Sequence, residues 1–360
     1  MPAEGGTKRS GGARSGKSLG EYATRFTRDK IQSVAAQRVS TGFPALDRSL
    51  NGGLANGLYV LGAVPGLGKS TLALQISHHL SGQGIPVLYF ALEMNWAWIT
   101  AKSICRTDYI LNRQEGLQAA ALLDAGSAQN LSDEEWERVN RARELTEREG
   151  ANLYIYEPGP DMTHIGHIQE KIRDFKALPA NRERYGDKPL MVVIDYLQIL
   201  APKNGLLRVS DKQIVDENVR TLCKIRDQEK VIILLISALN RSSYDNPINL
   251  GSFKESGSIE YSADAILGMQ YRGVGKDGFS AEKAREKTPR ELELTLLKMR
   301  YGRDGVKIPL HFYSESSFFQ QPDGGGEAAD LRLQELREKF RDYPVQYHDG
   351  FHQKAHRPKG

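Results

Sequence analysis

The chain has 360 residues, of which 39% are hydrophobic and 26% are charged. These proportions are typical of a folded globular protein and exclude a disordered polar chain. Its 49 basic and 45 acidic residues leave a net charge of +4, so any binding of nucleic acid has to come from a local patch.

Apolar runs and cysteine content favour a cytoplasmic protein with no membrane partner. The longest apolar runs, at 231–236 and 191–194, are far shorter than the ~18 residues that a membrane-spanning helix needs. No apolar segment follows the basic N-terminus, so no secretory signal is predicted. Cys105 and Cys223 are too few for a disulfide framework or a multi-cysteine zinc site.

The first segments are predicted to lie outside the main domain. Residues 1–17 are rich in Gly, Ser, Lys and Arg and are expected to form a disordered basic tail. Residues 18–39 place Leu19, Tyr22 and Phe26 at spacings of three and four, which predicts a linker helix with a narrow apolar stripe. Such a stripe needs another surface to lie against.

Residues 40–320 alternate short apolar runs with longer amphipathic ones. This pattern is typical of one α/β domain with a mostly parallel twisted sheet flanked by helices. Leu72, Ile76 and Leu80 mark the apolar face of one such helix. Strands are predicted at 58–62, 87–92, 152–156, 190–195, 231–237, 264–270, 292–298 and 306–312.

After this domain the pattern breaks. Residues 321–326 contain PDGGG and are predicted to be a linker. Residues 327–342 have the apolar spacing of a short amphipathic helix, which we expect to pack on its own domain rather than on a partner. Residues 343–360 are expected to be a disordered tail.

The strongest motif is YVLGAVPGLGKSTLALQI, an apolar strand followed by a Gly-rich turn and a helix that begins at Lys69. Small residues let backbone N–H groups surround phosphates, the helix N-terminus favours negative charge, and a lysine reaches the outer phosphates. Ala63 stands where the usual pattern has its first glycine, and a chance glycine turn is the alternative. We predict a nucleotide site formed by Pro65, Gly66, Gly68, Lys69, Ser70 and Thr71, with the Ser70 hydroxyl on Mg²⁺.

Two carboxylates follow apolar strands. Asp195 ends the strand in LMVVIDYLQIL, where open α/β sheets place their ligands, and is predicted to be the Mg²⁺-side carboxylate. A turn or helix-cap aspartate is the alternative. Glu93 ends the strand in VLYFALEM and could accept the proton of an attacking water, or simply stabilise a helix start.

Two cations end a later strand. Lys298 and Arg300 in LTLLKMRYGRDG are two apart, so their side chains point the same way. Converging cations suit the transition-state charge of phosphoryl transfer, and in ring-shaped ATPases they come from a neighbouring subunit. A merely solvated pair is the alternative.

Six motifs follow one another along most of the chain: VSTGFPALDRSLNGGLANG, AVPGLGKST, ALEM, VVIDYLQIL, ALNRSSYDNP with FKESGSIEYSADAILG, and KMRYGRDG. In this order they resemble the C-terminal ATPase domain of DnaB-type replicative helicases, within the RecA-like P-loop NTPases.

The resemblance implies a homo-hexameric ring that hydrolyses ATP with Mg²⁺ between subunits and moves on single-stranded DNA. It implies that Asp195 lies on the Mg²⁺ side, that Glu93 is the catalytic base, and that Lys298 and Arg300 act on the neighbour's nucleotide. A primase or a helicase loader is an implied further partner.

The resemblance also implies a DNA-facing loop. The stretch FKESGSIE would place Lys254, Glu255 and Gly257 along the strand's backbone, where a cation neutralises phosphate. The loop after the aspartate strand, with Lys203 and Arg208, is a second candidate. A solvated surface loop is the alternative for it.

Three features depart from the family pattern. Only about 40 residues precede the first motif, so the family's N-terminal helical collar is expected to be absent. Ala238 stands where the family commonly has a glutamine that senses the γ-phosphate. Tyr301 replaces the usual asparagine after the finger arginine.

These departures leave three functions open. The first is an ATP-driven DNA helicase or translocase, favoured by the complete set of carboxylates and cations. The second is an ATP-regulated DNA-binding switch or helicase loader without processive unwinding, favoured by Ala238 and by the expected absence of the collar. The third is a RadA-like recombination ATPase, against which stands the lack of a Cys-rich metal finger.

Overall fold

The computed structural model describes residues 18–112, 117–157, 159, 164–201, 210–240, 243, 246–253, 257–322 and 338. The predicted tails and almost all of the predicted C-terminal helix lie outside the described residues. The chain divides into two compact units, Met1–Arg38 and Val39–Gly360.

From residue 18 onward, where its structure is described, the first unit contains two short helices, α1 (Leu19–Ala23) and α2 (Arg28–Ala36). The prediction of one helix over 18–39 is therefore wrong. Thr27 has an extended backbone and its side chain accepts from the Lys30 amide, so it starts a new helix. The apolar side chains of this unit are exposed: Leu19 in α1 is at 83% of its full exposure, and Phe26, between the two helices, is at 67%.

A nine-stranded sheet forms the centre of the second unit, in the order β3-β2-β4-β5-β1-β6-β7-β8-β9. Neighbouring strands from β3 to β6 run parallel, and β7, β8 and β9 continue antiparallel. The prediction of a mostly parallel sheet is confirmed. The strands are β1 Gly57–Ala63, β2 Val87–Ala91, β3 Leu153–Tyr156, β4 Met191–Asp195, β5 Ile232–Ala238, β6 Ala265–Tyr271, β7 Arg290–Met299, β8 Val306–Tyr313 and β9 Phe318–Gln320.

All eight predicted strands are present, and no end differs from its prediction by more than two residues. The ninth, β9, has only three residues, too few to show an alternating pattern in the sequence.

Helices cover the sheet. They are α3 Pro44–Ser49, α4 Lys69–Gly82, α5 Trp96–Asn112, α6 Ala119–Leu123, α7 Ala125–Gln129, α8 Asp133–Glu149, α9 Ile165–Ala177, α10 Pro179–Tyr185, α11 Asp211–Glu229, α12 Gly257–Ser262 and α13 Ala281–Glu286, with 3₁₀ helices at Leu197–Ile199 and Leu250–Ser252. None of the helices in the described residues is long and apolar enough to cross a membrane.

Alternation along the strands places apolar side chains in two clusters, one on each face of the sheet. In β1, Tyr59 and Leu61 pack in the cluster that includes α4, whereas Leu58 and Val60 pack in the cluster that includes α9 and α11. Strands that are buried on both faces read as continuous apolar runs, which is why they were predictable. Because β1, β2, β4 and β5 are parallel, their carboxyl ends meet at one edge of the sheet, the carboxyl edge.

Candidate active site

The predicted phosphate loop joins the end of β1 at Ala63 to the start of α4 at Lys69. Gly66 and Gly68 have φ angles of +81° and +85°, which L side chains rarely adopt. A Cβ on Gly68 would lie 2.8 Å from Cζ of Phe312, whereas nothing lies within 4 Å of a Cβ on Gly66. The loop is thus packed on one side and open on the other, as a cradle for phosphates requires.

Lys69 lies at the start of α4 within electrostatic reach of both predicted carboxylates. Burial lowers the pKa of its ammonium group, and the charges of Asp195 and Glu93 oppose this shift. The three predicted groups therefore meet at the carboxyl edge of the sheet.

Asp195 is 1% exposed at the end of β4. Burial raises the pKa of its carboxyl group, and the nearby Ser70 and Tyr89 hydroxyls counteract this shift. The Tyr89 hydroxyl donates to Oδ2 at 2.9 Å, while Oδ1 is buried without a hydrogen-bond partner. A buried carboxylate oxygen left without a donor, beside a serine hydroxyl, fits a hard divalent cation such as Mg²⁺.

Glu93 lies two residues after β2 and is exposed at the same edge. The Leu92 amide donates to the Asp195 carbonyl at 2.9 Å, which ties the end of β2 to β4. Helix α5 is capped by the Asn95 side chain, which accepts from the Trp98 amide at 3.1 Å. Asn95 therefore supplies the side-chain cap of this helix.

Lys298 and Arg300 point the same way, as predicted, and both contact the carboxyl end of α12. The Lys298 ammonium donates to the carbonyls of Glu260 and, at 2.9 Å, Ala263. The Arg300 guanidinium donates to the Tyr261 carbonyl at 3.2 Å. The two cations therefore stabilise the last carbonyls of this helix, where positive charge is favourable.

These cations lie at the edge of the sheet opposite to the phosphate loop. Asp264 forms an ion pair with Arg300 at 3.0 Å, and its amide donates to the Leu58 carbonyl at the start of β1. Strand β1 has seven residues, so its two ends are roughly 20 Å apart. Within this chain, Lys298 and Arg300 therefore lie too far from the phosphate loop to contact a nucleotide bound there.

Three residues near the phosphate loop were not predicted. The Lys102 ammonium on α5 donates to Thr71 Oγ1 at 3.1 Å, and Arg290 on β7 donates to the Gly66 carbonyl at 3.3 Å. Tyr89 is the third, through its bond to Asp195. Each partner is distant in the chain, so no local motif signals these contacts.

The predicted DNA-contacting residues are mostly outside the described residues: Lys203, Arg208, Lys254 and Glu255. Gly257 is exposed and begins α12, with nothing within 4 Å of a Cβ. Before it, Leu239 and Phe253 form an antiparallel bridge, and the Asn240 amide donates to the Ser252 carbonyl at 2.8 Å. We call residues 239–240 and 252–253 the loop stem. It continues directly from the carboxyl end of β5.

Residues 38–321 match the family of DnaB-like helicase C terminal domains. The chain belongs to this family. Over 233 residues it is 30% identical to the replicative DNA helicase DnaB of Leifsonia xyli subsp. xyli, covering 64% of this chain and 46% of the relative. Over 286 residues it is 29% identical to the replicative DNA helicase DnaC of Bacillus subtilis, covering 78% of this chain and 56% of the relative. The chain spans about half the length of the curated relatives it matches.

Solved structures support the RecA-like fold of this DnaB-like domain. One solved ATPase domain superimposes with a TM-score of 0.67 at 22% identity, over 86% of this chain and 100% of that one. The structure of a DnaB-like replicative helicase, studied with its interactions with primase, superimposes with the same TM-score and identity. The match covers 86% of this chain and 68% of that one. The predicted resemblance and fold are confirmed.

Proposed function

We propose that this chain is the motor domain of a ring-shaped DNA helicase, which hydrolyses ATP between neighbouring subunits and moves along single-stranded DNA. One observation carries the proposal. The phosphate loop, Asp195 and Glu93 converge at one edge of the sheet, while Lys298 and Arg300 lie together at the opposite edge. This arrangement supports a site completed by a second subunit, since the cations cannot serve their own nucleotide.

Within one subunit, the proposed hydrolysis uses residues of the carboxyl edge. The backbone of Pro65, Gly66 and Gly68 surrounds the phosphates, and Lys69 reaches the outer ones. Ser70 and Asp195 hold Mg²⁺, which when bound neutralises charge on the phosphates.

Glu93, beside them, accepts a proton from the attacking water. Its exposure allows it to face a nucleotide and a water at the mouth of the site.

The neighbouring subunit supplies Lys298 and Arg300 to the developing phosphoryl charge. A heterologous contact of this kind, repeated by rotation, closes into a ring. We propose a homo-hexamer, as the family resemblance implies.

The exposed apolar side chains of α1 and α2 are proposed to dock on a neighbouring subunit. A chain that begins at Val39 and still forms hexamers would contradict this docking role.

Single-stranded DNA is proposed to contact the segment after the loop stem, with Lys254, Glu255 and Gly257, and also Lys203 and Arg208. Phosphate neutralisation by lysine and arginine gives affinity that does not depend on sequence. The connection of the loop stem to β5 supports a link between this segment and the nucleotide. A primase or loader as partner and a cytoplasmic location remain part of the proposal.

Ala238 favours a second candidate, an ATP-regulated switch or helicase loader without processive unwinding. Ala238 pairs with Ala63 beside the phosphate loop, and its methyl group cannot donate a hydrogen bond to phosphate. Unwinding of a forked duplex separates the two functions, because only a motor displaces the strand in an ATP-dependent way.

The decisive experiment measures ATP hydrolysis with and without single-stranded DNA. We expect DNA to stimulate hydrolysis, and Lys69→Ala to abolish it while the purified variant stays folded. Hydrolysis that is equal with and without DNA would contradict the motor and the proposed DNA contacts together.

A further inference from the structure

Gln198 forms a polar connection between two strand ends at the carboxyl edge. It lies in the 3₁₀ helix Leu197–Ile199, three residues after Asp195. Its Oε1 accepts from the Ala238 amide at 3.2 Å, and its Nε2 donates to Ser237 Oγ at 3.1 Å. A single carboxamide thereby joins the segment after β4 to the last two residues of β5.

Both ends of this connection lead to functional segments. On one side, Gln198 follows directly from the strand that carries the Mg²⁺-side carboxylate. On the other, Ala238 pairs with Ala63 at the start of the phosphate loop and is followed at once by the loop stem. A displacement of the segment after Asp195 would thus be transmitted to the loop stem through two hydrogen bonds.

The chemistry of the side chains at this position supports such a link. Ala238 has no polar side-chain atom. Gln198 therefore holds this end of β5 through the Ala238 backbone amide and the Ser237 hydroxyl. A carboxamide both donates and accepts, which lets Gln198 hold both groups in one orientation. The connection is half-buried, so water competes with it less than at an exposed site.

We propose that Gln198 is a positioning residue that couples the nucleotide site to the DNA-contacting segment by holding the end of β5 against the segment after Asp195. The inference rests on the proposed function, since it needs a nucleotide and DNA that influence each other. It assigns to Gln198 no contact with the nucleotide.

The test measures the affinity for a fluorescent oligo(dT) by anisotropy, once with ADP and once with a non-hydrolysable ATP analogue. The ratio of the two dissociation constants is the coupling between the sites, and it is reciprocal between nucleotide and DNA. In the unchanged chain we expect this ratio to be roughly tenfold. In Gln198→Ala we expect the ratio to fall to near one, with DNA-free ATP hydrolysis retained.

A matched control removes an equivalent pair of hydrogen bonds elsewhere. Gln75 on α4 donates to the Phe319 carbonyl at 2.8 Å and accepts from the Phe319 amide at 2.8 Å. This carboxamide also joins two elements, but it leads to β9 rather than to the loop stem. Gln75→Ala is expected to keep the coupling ratio.

Two further variants separate coupling from folding. Gln198→Met keeps an unbranched side chain of similar size without the hydrogen bonds, and we expect it to lose coupling while its thermal unfolding stays close to that of the unchanged chain. The double variant Gln198→Ala/Ala238→Gln places a carboxamide on β5 instead of on the segment after β4. It should restore part of the coupling.

The outcomes distinguish this inference from the proposed function. If the unchanged chain shows coupling and both Gln198 variants keep it, the inference is wrong and the motor stands. If the unchanged chain shows neither DNA-stimulated hydrolysis nor nucleotide-dependent DNA affinity, the proposed function fails and the inference fails with it.

Discussion

Gly62 and Phe253 are in direct contact: a Cβ atom added to Gly62 would lie 2.4 Å from Cε1 of Phe253 and 2.7 Å from Cδ2 of Leu239. Gly62 precedes the last residue of β1, and the other two residues form the bridge of the loop stem. The phenyl ring is 1% exposed. The loop stem therefore packs on the strand that enters the phosphate loop, at a place where only glycine leaves room.

Gly62→Ala is predicted to overpack this contact. The new methyl group would displace the Phe253 ring, so the free energy of unfolding should fall by about 1–3 kcal/mol, measured by urea denaturation. Phe253→Ala alone should also destabilise, by roughly 3–5 kcal/mol.

The double variant tests the contact itself. Because Phe253→Ala removes the ring that the new methyl group would meet, the two losses should not add in Gly62→Ala/Phe253→Ala. Gly126→Ala serves as a control, since its Cβ would have ordinary contact at 3.4 Å with an exposed aspartate. Full additivity of the two losses would show that the ring and the strand do not interact.

Mixing experiments should show that the nucleotide site is shared between subunits. Lys69→Ala and Arg300→Ala should each abolish hydrolysis alone. Mixed in equal amounts, they form interfaces of which roughly a quarter combine an intact phosphate loop with an intact arginine. Hydrolysis should therefore reappear on mixing, and a mixture as inactive as its components would contradict the trans role of Arg300.

Tyr89→Phe is predicted to raise the Mg²⁺ concentration that hydrolysis requires. It removes the 2.9 Å hydrogen bond to Asp195 Oδ2 and leaves that buried oxygen without its donor. Loss of an outer hydrogen bond of this kind typically lowers metal affinity by about 10–100-fold, so hydrolysis should need correspondingly more Mg²⁺.

A second buried tyrosine provides the control. The Tyr59 hydroxyl, on β1, donates to the Ala55 carbonyl at 3.1 Å and accepts from the Ala55 amide at 3.0 Å. Tyr59→Phe should cost a similar free energy of unfolding, about 1 kcal/mol, without changing the Mg²⁺ titration. If Tyr89→Phe gave the same Mg²⁺ titration as the unchanged chain, Tyr89 would have no role in Mg²⁺ binding.

The stability of the domain should fall in mild acid because of His78. Burial, together with the nearby charge of Arg106, holds the pKa of the imidazole well below its usual range. Below about pH 6.5 the unfolded chain binds a proton that the folded chain does not, so the stability conferred above that pH is lost as the pH falls.

Each pH unit in this window should cost up to about 1.4 kcal/mol. His78→Leu should flatten the decline between about pH 6.5 and about pH 5 in urea denaturation. An unchanged slope in this variant would mean that other groups cause the acid sensitivity.

The sequence predicted those parts of the domain that local physics determines. Buried strands appear as continuous apolar runs. The turn before Lys69 needs positive φ angles, which favour glycine, so its glycines make it recognisable in the sequence. The linker segment forms two helices rather than the one predicted, because the Thr27 side chain caps a new helix and the apolar stripe is too weak to favour a continuous one.

The unpredicted contacts depend on the fold. Tyr89 and Asp195 are 106 residues apart, and Gln198 and Ala238 are 40 apart. Such pairs become neighbours only through the strand order β2-β4-β5, which hydrophobic periodicity does not specify. The opposite placement of the phosphate loop and Arg300 likewise follows from the antiparallel direction of β7.

If the proposed site is shared between chains, the distance between the two edges of the sheet would also make activity depend on protein concentration. A catalytic site made of halves from two molecules exists only in the associated state, so each turnover reports an encounter between chains. Dilution would then abolish hydrolysis while each chain stays folded. Specific activity would rise steeply with protein concentration until assembly is complete.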